Sequence, residues 1–218
     1  MRKLIFEKNP REMNNADRNE SEDDPSTHSS HIENRPFQFM DLRQSIKDKI
    51  SKREIFYSFE IVSVRKPKTF YQRYETLNRL LMDMDKYLPL FYALTWHNEG
   101  ASGSNNYLPL DLVKNFPSNT LLHLAAKDLK RDEVVCILKK ALAFGIINIF
   151  ALQGDADSLL EDGDFKYAAD LIAFIREQFG DTFCICVAGY PQMHPKSFSK
   201  ELDLHYLKAK VIIDIYSQ

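Results

Sequence analysis

The sequence predicts an α/β fold built on a parallel sheet, and three observations carry that prediction. Six short apolar runs rich in β-forming residues recur along the chain, with helix-patterned segments between them. Strands alternating with helices in this way are joined by right-handed crossovers into a parallel sheet. The runs are continuous, Phe183-Cys184-Ile185-Cys186-Val187-Ala188 most clearly, as strands covered on both faces are. Two of them break at their C-terminal ends into polar turns: Gln153-Gly154-Asp155 after one, Gly189-Tyr190-Pro191 and then His194 after another. Ligands of α/β proteins bind beyond the carboxyl ends of the strands.

Residues 1–40 are polar, Pro-containing and without apolar periodicity, which predicts a disordered tail ahead of one domain over 41–218. From Asp41 the pattern LRQSIKDKISKR predicts a short amphipathic helix. Strand one is expected at 55–62, with Glu60 near its end. A helix over 69–86 follows, and Phe70, Tyr74, Leu77, Leu81, Met84 and Leu88 mark its inner face. The second strand, 90–95, exits through Thr95, Trp96 and His97. A Gly/Ser/Asn loop at 100–106 and a brief helix through Leu110 and Val113 lead to the third strand, 120–125, which holds His123. The helix over 131–144 turns Val134, Ile137, Leu138, Ala141 and Leu142 inward, and Gly145 stops it.

Strand four, 146–152, runs into an acidic loop. Its carboxylates are followed by Leu159 and Leu160 where a calcium loop needs a third ligand and a glycine, so that pattern fails. A helix over 165–179 ends at Gly180, and strand five follows. The remainder reads as a helix over 199–210 and a sixth strand over 211–216.

Totals narrow the function classes. A net charge of −2 gives nothing to attract nucleic acid or an anionic membrane. No apolar run is long enough to span a bilayer, and the N-terminus lacks a secretory pattern. Three cysteines fit a reducing compartment, and a cytoplasmic location is expected. Cys184 and Cys186 fall on one face of strand five; without further ligands nearby they read as two small core residues rather than a metal site.

Several segments, taken in order from about residue 41 to 218, resemble the methylenetetrahydrofolate reductases. They are SFE at 58–60, LTW at 94–96, LLHL at 121–124, NIFALQGD at 148–155, VAGYPQMHP at 187–195 and DLHYLKAK at 203–210. The resemblance implies a TIM-barrel, (β/α)8-type fold with about six of the eight strands in this chain. Six strands leave two open edges. The chain is then expected to be a fragment, a truncated form, or a paralogue that covers its edges by pairing with a second copy or a full-length partner.

The resemblance also implies an FAD-dependent oxidoreductase. NAD(P)H gives a hydride to FAD, and 5,10-methylenetetrahydrofolate receives it to become 5-methyltetrahydrofolate. Glu60 matches the acid that protonates the opening folate ring, and Asp155 the aspartate beside flavin and folate. Thr95, His123, Gln153, Asp155, Tyr167, Ala188, Tyr190, His194, Asp203 and Lys210 match FAD-lining positions, and Gln218 a substrate contact. Taken alone, Glu60 reads more readily as a salt-bridge partner than as an acid, and Tyr190 and His194 read equally as a core cap and a solvated loop residue. The absence of GxGxxG argues against a Rossmann site only. Departures from the family pattern are Gln153 for an arginine, Ala93 for an aspartate, and Ile61-Val62-Ser63-Val64 for FFPP. They leave a second class open: a non-catalytic relative that binds flavin weakly or only associates with a full-length partner.

Overall fold

The computed structural model describes residues 39–62, 70–95, 116–127, 129–154 and 163–216. Residues 1–38 of the tail expected over 1–40, the 100–106 loop and the helix near Leu110 lie outside them. The elements run α1 (Leu42–Ser51), β1 (Ser58–Val62), α2 (Phe70–Asp85), β2 (Phe91–Thr95), β3 (Thr120–Ala125), α3 (Arg131–Ala143), β4 (Asn148–Leu152), α4 (Ala168–Phe179), β5 (Cys184–Val187) and α5 (Lys200–Tyr216). The five strands form one parallel sheet in chain order. These are consecutive strands of a (β/α)8 barrel, and their shared direction puts every strand's carboxyl end on the same side.

Strand alternation sorts the side chains into two faces. Ile61, Tyr92, Leu94, Leu122, Leu124, Ile149 and Ala151 meet Val134, Ile137, Leu138, Leu171, Ile172 and Ile175 of α3 and α4 in the main core. The other face, which lines a barrel's interior, carries Glu60, Ala93, Thr95, Leu121, His123, Asn148, Phe150, Cys184 and Cys186. Burying a core side chain of this size stabilises the fold by roughly 1.5–3 kcal/mol. Gly145, at φ 76°, ends α3 as expected, because only a residue without Cβ takes that turn cheaply.

At the strands' amino ends, α1 closes the base. The Asp41 carboxylate accepts the Arg43 and Gln44 N–H groups at 2.8 and 3.3 Å and caps the helix. Buried Asn148 then ties α1 to β4, accepting the Leu42 N–H at 3.0 Å and donating to the Met40 carbonyl at 2.8 Å.

Three expectations are corrected. The segment expected as a sixth strand is the last part of α5. Residues 203, 207, 210, 213 and 214 form a half-buried stripe at helical spacing, no Gly or Pro interrupts it, and the Arg176–Asp214 ion pair pins the end to α4. Leu88, expected inside, is 80 % exposed and lies beyond α2 at φ 50°. Strand β5, expected to be covered on both faces, is half-buried beyond Cys184 because it is an outer strand of the sheet. No helix among the described residues is long and apolar enough to cross a membrane.

Candidate functional site

Glu60 occupies the interior face of β1 because its neighbours Phe59 and Ile61 turn toward the helices. Thr95 closes β2, and β1 and β2 pair in parallel with Val62 opposite Thr95. Across that pairing the Thr95 hydroxyl donates to Glu60 Oε1 at 2.8 Å in a half-buried setting. On β3, His123 is nearly buried, and its ring stands edge-on to Phe150, its register partner on β4, at 4.9 Å.

Past β3 and β4 the pairing continues: Ala126 N–H donates to the Leu152 carbonyl at 2.8 Å and Lys127 N–H to the Gln153 carbonyl at 3.0 Å. Gly154, at φ 94°, makes this close approach feasible. A Cβ there would lie 3.1 Å from Lys127 Cβ and 3.3 Å from Ala125 Cβ. The Gln153 amide donates to the Lys166 carbonyl at 3.2 Å, which ties the β4 exit to the segment entering α4. Tyr167, the N-cap residue of α4, is 52 % exposed.

The β5 exit and α5 form one connected group. A turn closes with Met193 N–H donating to the Tyr190 carbonyl at 2.9 Å. The Tyr190 ring then stands edge-on to His194 at 4.5 Å. His194 N–H donates to Asp203 Oδ2 at 3.2 Å, and its Nδ1 accepts from Lys196 N–H at 3.1 Å. A neutral His194 therefore carries its proton on Nε2. Lys210 donates to the Ala188 carbonyl at 3.0 Å, using one of three ammonium protons. Burial pulls the Lys210 ammonium below the ordinary lysine range, and the nearby Asp203 carboxylate partly opposes that.

The carboxyl side of the sheet thus holds Thr95, Gln153 with the Lys166 carbonyl, and the group Ala188, Tyr190, His194, Asp203 and Lys210. Glu60, held by Thr95, and His123 each lie within their strands, two residues before the end. Asp155, Gln218, Trp96 and His97 lie outside the described residues. A cavity of about 390 Å³ opens at the opposite side, between α1 and the starts of β1 and β2, lined by Lys49, Tyr57 and Leu90 among others. That side serves stability in barrels of this type, and the polar convergence lies at the other, so the cavity is not the candidate site.

The chain matches the family model described as methylenetetrahydrofolate reductase over residues 45–213. The chain belongs to the methylenetetrahydrofolate reductase family. It is similar to methylenetetrahydrofolate reductase 2 of Saccharomyces cerevisiae, at 35% identity over 166 residues, 71% of this chain and 27% of that protein. Similarity to methylenetetrahydrofolate reductase (NADH) 1 of Arabidopsis thaliana is 30% over 190 residues, covering 79% of this chain and 31% of that one. With the 5,10-methylenetetrahydrofolate reductase of Salmonella typhimurium it shares 32% over 165 residues, 72% of this chain and 51% of the bacterial one. The chain spans 27% of the length of the two yeast reductases numbered 2. In the reductase family model, the matched span takes in every described element except the start of α1 and the end of α5.

Proposed function

We propose that this chain forms the FAD- and folate-facing part of a methylenetetrahydrofolate reductase, an oxidoreductase of one-carbon metabolism that turns 5,10-methylenetetrahydrofolate into 5-methyltetrahydrofolate with NAD(P)H. Relatives are named for NADH and for NADPH, so the donor is written for both. The observation that carries the proposal is the contact group at the β5 exit: a half-buried ammonium at Lys210, an exposed ring at Tyr190 and an imidazole at His194. These residues fit FAD, because Lys210 offers charge to a diphosphate and Tyr190 an aromatic face to a flat ring. The Gly154 turn lets the exits of β3 and β4 approach closely at Gln153.

Bound there, FAD would supply the chemistry of hydride transfer between NAD(P)H and the folate. The chain's own part is positioning and proton movement. Thr95 donates to Glu60 Oε1, so the proton of a neutral Glu60 sits on Oε2. From Oε2 it is handed to the folate nitrogen that leaves as the five-membered ring opens. Asp155, next to Gly154, is assigned to stabilise the cationic one-carbon unit. Thr95, His123, Gln153, Tyr167, Ala188 and Asp203 are assigned to the FAD cradle, and Gln218 to the folate. The three free cysteines fit a cytoplasmic location.

Gln153 favours a second reading. It is neutral where the family pattern has an arginine, and its amide is already engaged by the Lys166 carbonyl. A relative that binds flavin weakly, or acts only beside a full-length partner or a second copy, would keep the cradle and lose turnover. Titrating the folded protein with FAD tests both. Saturable one-to-one binding with recovery of flavin absorbance after methylenetetrahydrofolate supports the reductase. Binding without that recovery favours the second reading, and no binding rejects the reductase and the flavin site, leaving only a relative that associates with a full-length partner.

A further inference from the structure

Cys184 and Cys186 stand two residues apart on β5, so both thiols lie on its interior face. Their register partners on β4 are Asn148 and Phe150, which face away from the helix-side core. Cys184 and Cys186 affect each other's ionisation, and Asp41 and Arg43 at the start of α1 affect that of Cys184. Cys184 is buried and Cys186 half-buried, while the third cysteine, Cys136, is exposed on α3. The proposed reductase chemistry uses neither member of the pair.

Geometry decides what such a pair can hold. A strand advances about 3.3 Å per residue, so like-facing neighbours have Cβ atoms roughly 6.6 Å apart. A disulfide needs Cβ atoms about 3.5–4.5 Å apart. Parallel pairing to β4 fixes β5 at both cysteine positions, so a direct S–S bond would require tearing that pairing. One atom bonded to both sulfurs spans the gap without it.

We infer that Cys184 and Cys186 form a two-thiol clamp for a soft, thiophilic centre of the trivalent, monosubstituted arsenical class. The reaction balances without an oxidant. Two S–H bonds and two As–OH bonds break, two As–S bonds form, two waters leave, and arsenic stays trivalent. Interaction between the two thiols pulls Cys184 below the usual cysteine range and, with burial, pushes Cys186 above it. The thiolate is the attacking form.

The test uses the folded chain and one equivalent of phenylarsine oxide, followed by titration of remaining thiols with a chromogenic disulfide reagent. Two of the three thiols should disappear, leaving Cys136. Excess monothiol should not restore them, and a small dithiol should. Cys136→Ser should leave this behaviour intact, and Cys184→Ser or Cys186→Ser should each make the adduct reversible by monothiol. Thiol loss only after unfolding in guanidinium, loss of a single thiol, or an adduct that includes Cys136 would each overturn the clamp. The wild-type thiol count decides alone if a variant fails to fold.

Discussion

The Thr95 hydroxyl and Glu60 Oε1 lie 2.8 Å apart across neighbouring parallel strands, which leaves Oε2 to carry any proton. Thr95→Val keeps the shape and removes the donor. A hydrogen bond to a charged group contributes about 1.5–3 kcal/mol. The folate-driven recovery of flavin absorbance should therefore slow at least about 10-fold, with bleaching by NAD(P)H changed little. Equal slowing of both phases in anaerobic stopped flow would make Thr95 a flavin contact instead of a support for Glu60.

Lys210 should dominate the charge term in FAD binding. Lys210→Met is expected to weaken binding roughly 10- to 100-fold, the loss of one charged hydrogen bond. Burial holds the Lys210 pKa below 10.5, so its ammonium is lost at lower pH in the fold than in the unfolded chain. The sign follows: burying the charged form costs stability at neutral pH, and that cost is relieved as pH rises through the folded value. FAD affinity should fall over the same rise in wild type and stay flat in Lys210→Met. Parallel declines in both, measured by fluorescence titration, would remove Lys210 from the site.

Arg176 and Asp214 form a largely buried ion pair whose side chains are 3% and 22% exposed. Arg176 also donates to the Gly180 and Phe183 carbonyls at 2.8 and 2.9 Å. Arg176→Leu leaves Asp214 without its partner, and breaking such a pair costs about 3–5 kcal/mol. A large fall in melting temperature is expected, with faster amide exchange over 211–216. Unchanged exchange there would show that the pair does not hold α5 in place.

That pair also explains what the sequence concealed. Strands β1 to β5 were legible because each is a short apolar run closed by a polar turn. Val211-Ile212-Ile213 is just as apolar and β-branched, yet a partner 38 residues away holds it helical, and no local pattern reports a contact at that separation. The candidate positions were legible in part. Parallel direction alone puts the strand ends that carry Thr95, Gln153 and Tyr190 on one side of the sheet. The His194–Asp203 and Lys210–Ala188 contacts depend on how α5 packs, which spacing does not encode. Asn148 went unnoticed because a polar residue opening a strand gives no hint that it anchors a helix 106 residues earlier.

Asn148→Ala tests that anchor. It leaves the buried Leu42 N–H and the Met40 carbonyl unpaired, a cost of about 1–3 kcal/mol. Stability should fall by that amount in denaturant melts, with FAD affinity unchanged, since α1 lies at the opposite side from the candidate site. A matching loss of FAD affinity would mean that the base and the mouth are coupled.

Glu60→Gln tests the assignment of function most directly. The substitution preserves shape and removes the proton that the leaving folate nitrogen requires. Placed general acids contribute roughly 10²–10⁴-fold. Under anaerobic conditions, bleaching of flavin absorbance by NAD(P)H should proceed at the wild-type rate. Recovery on addition of methylenetetrahydrofolate should slow by that range. Equal recovery in wild type and Glu60→Gln would contradict Glu60 as the acid, and with it the proton path from Oε2.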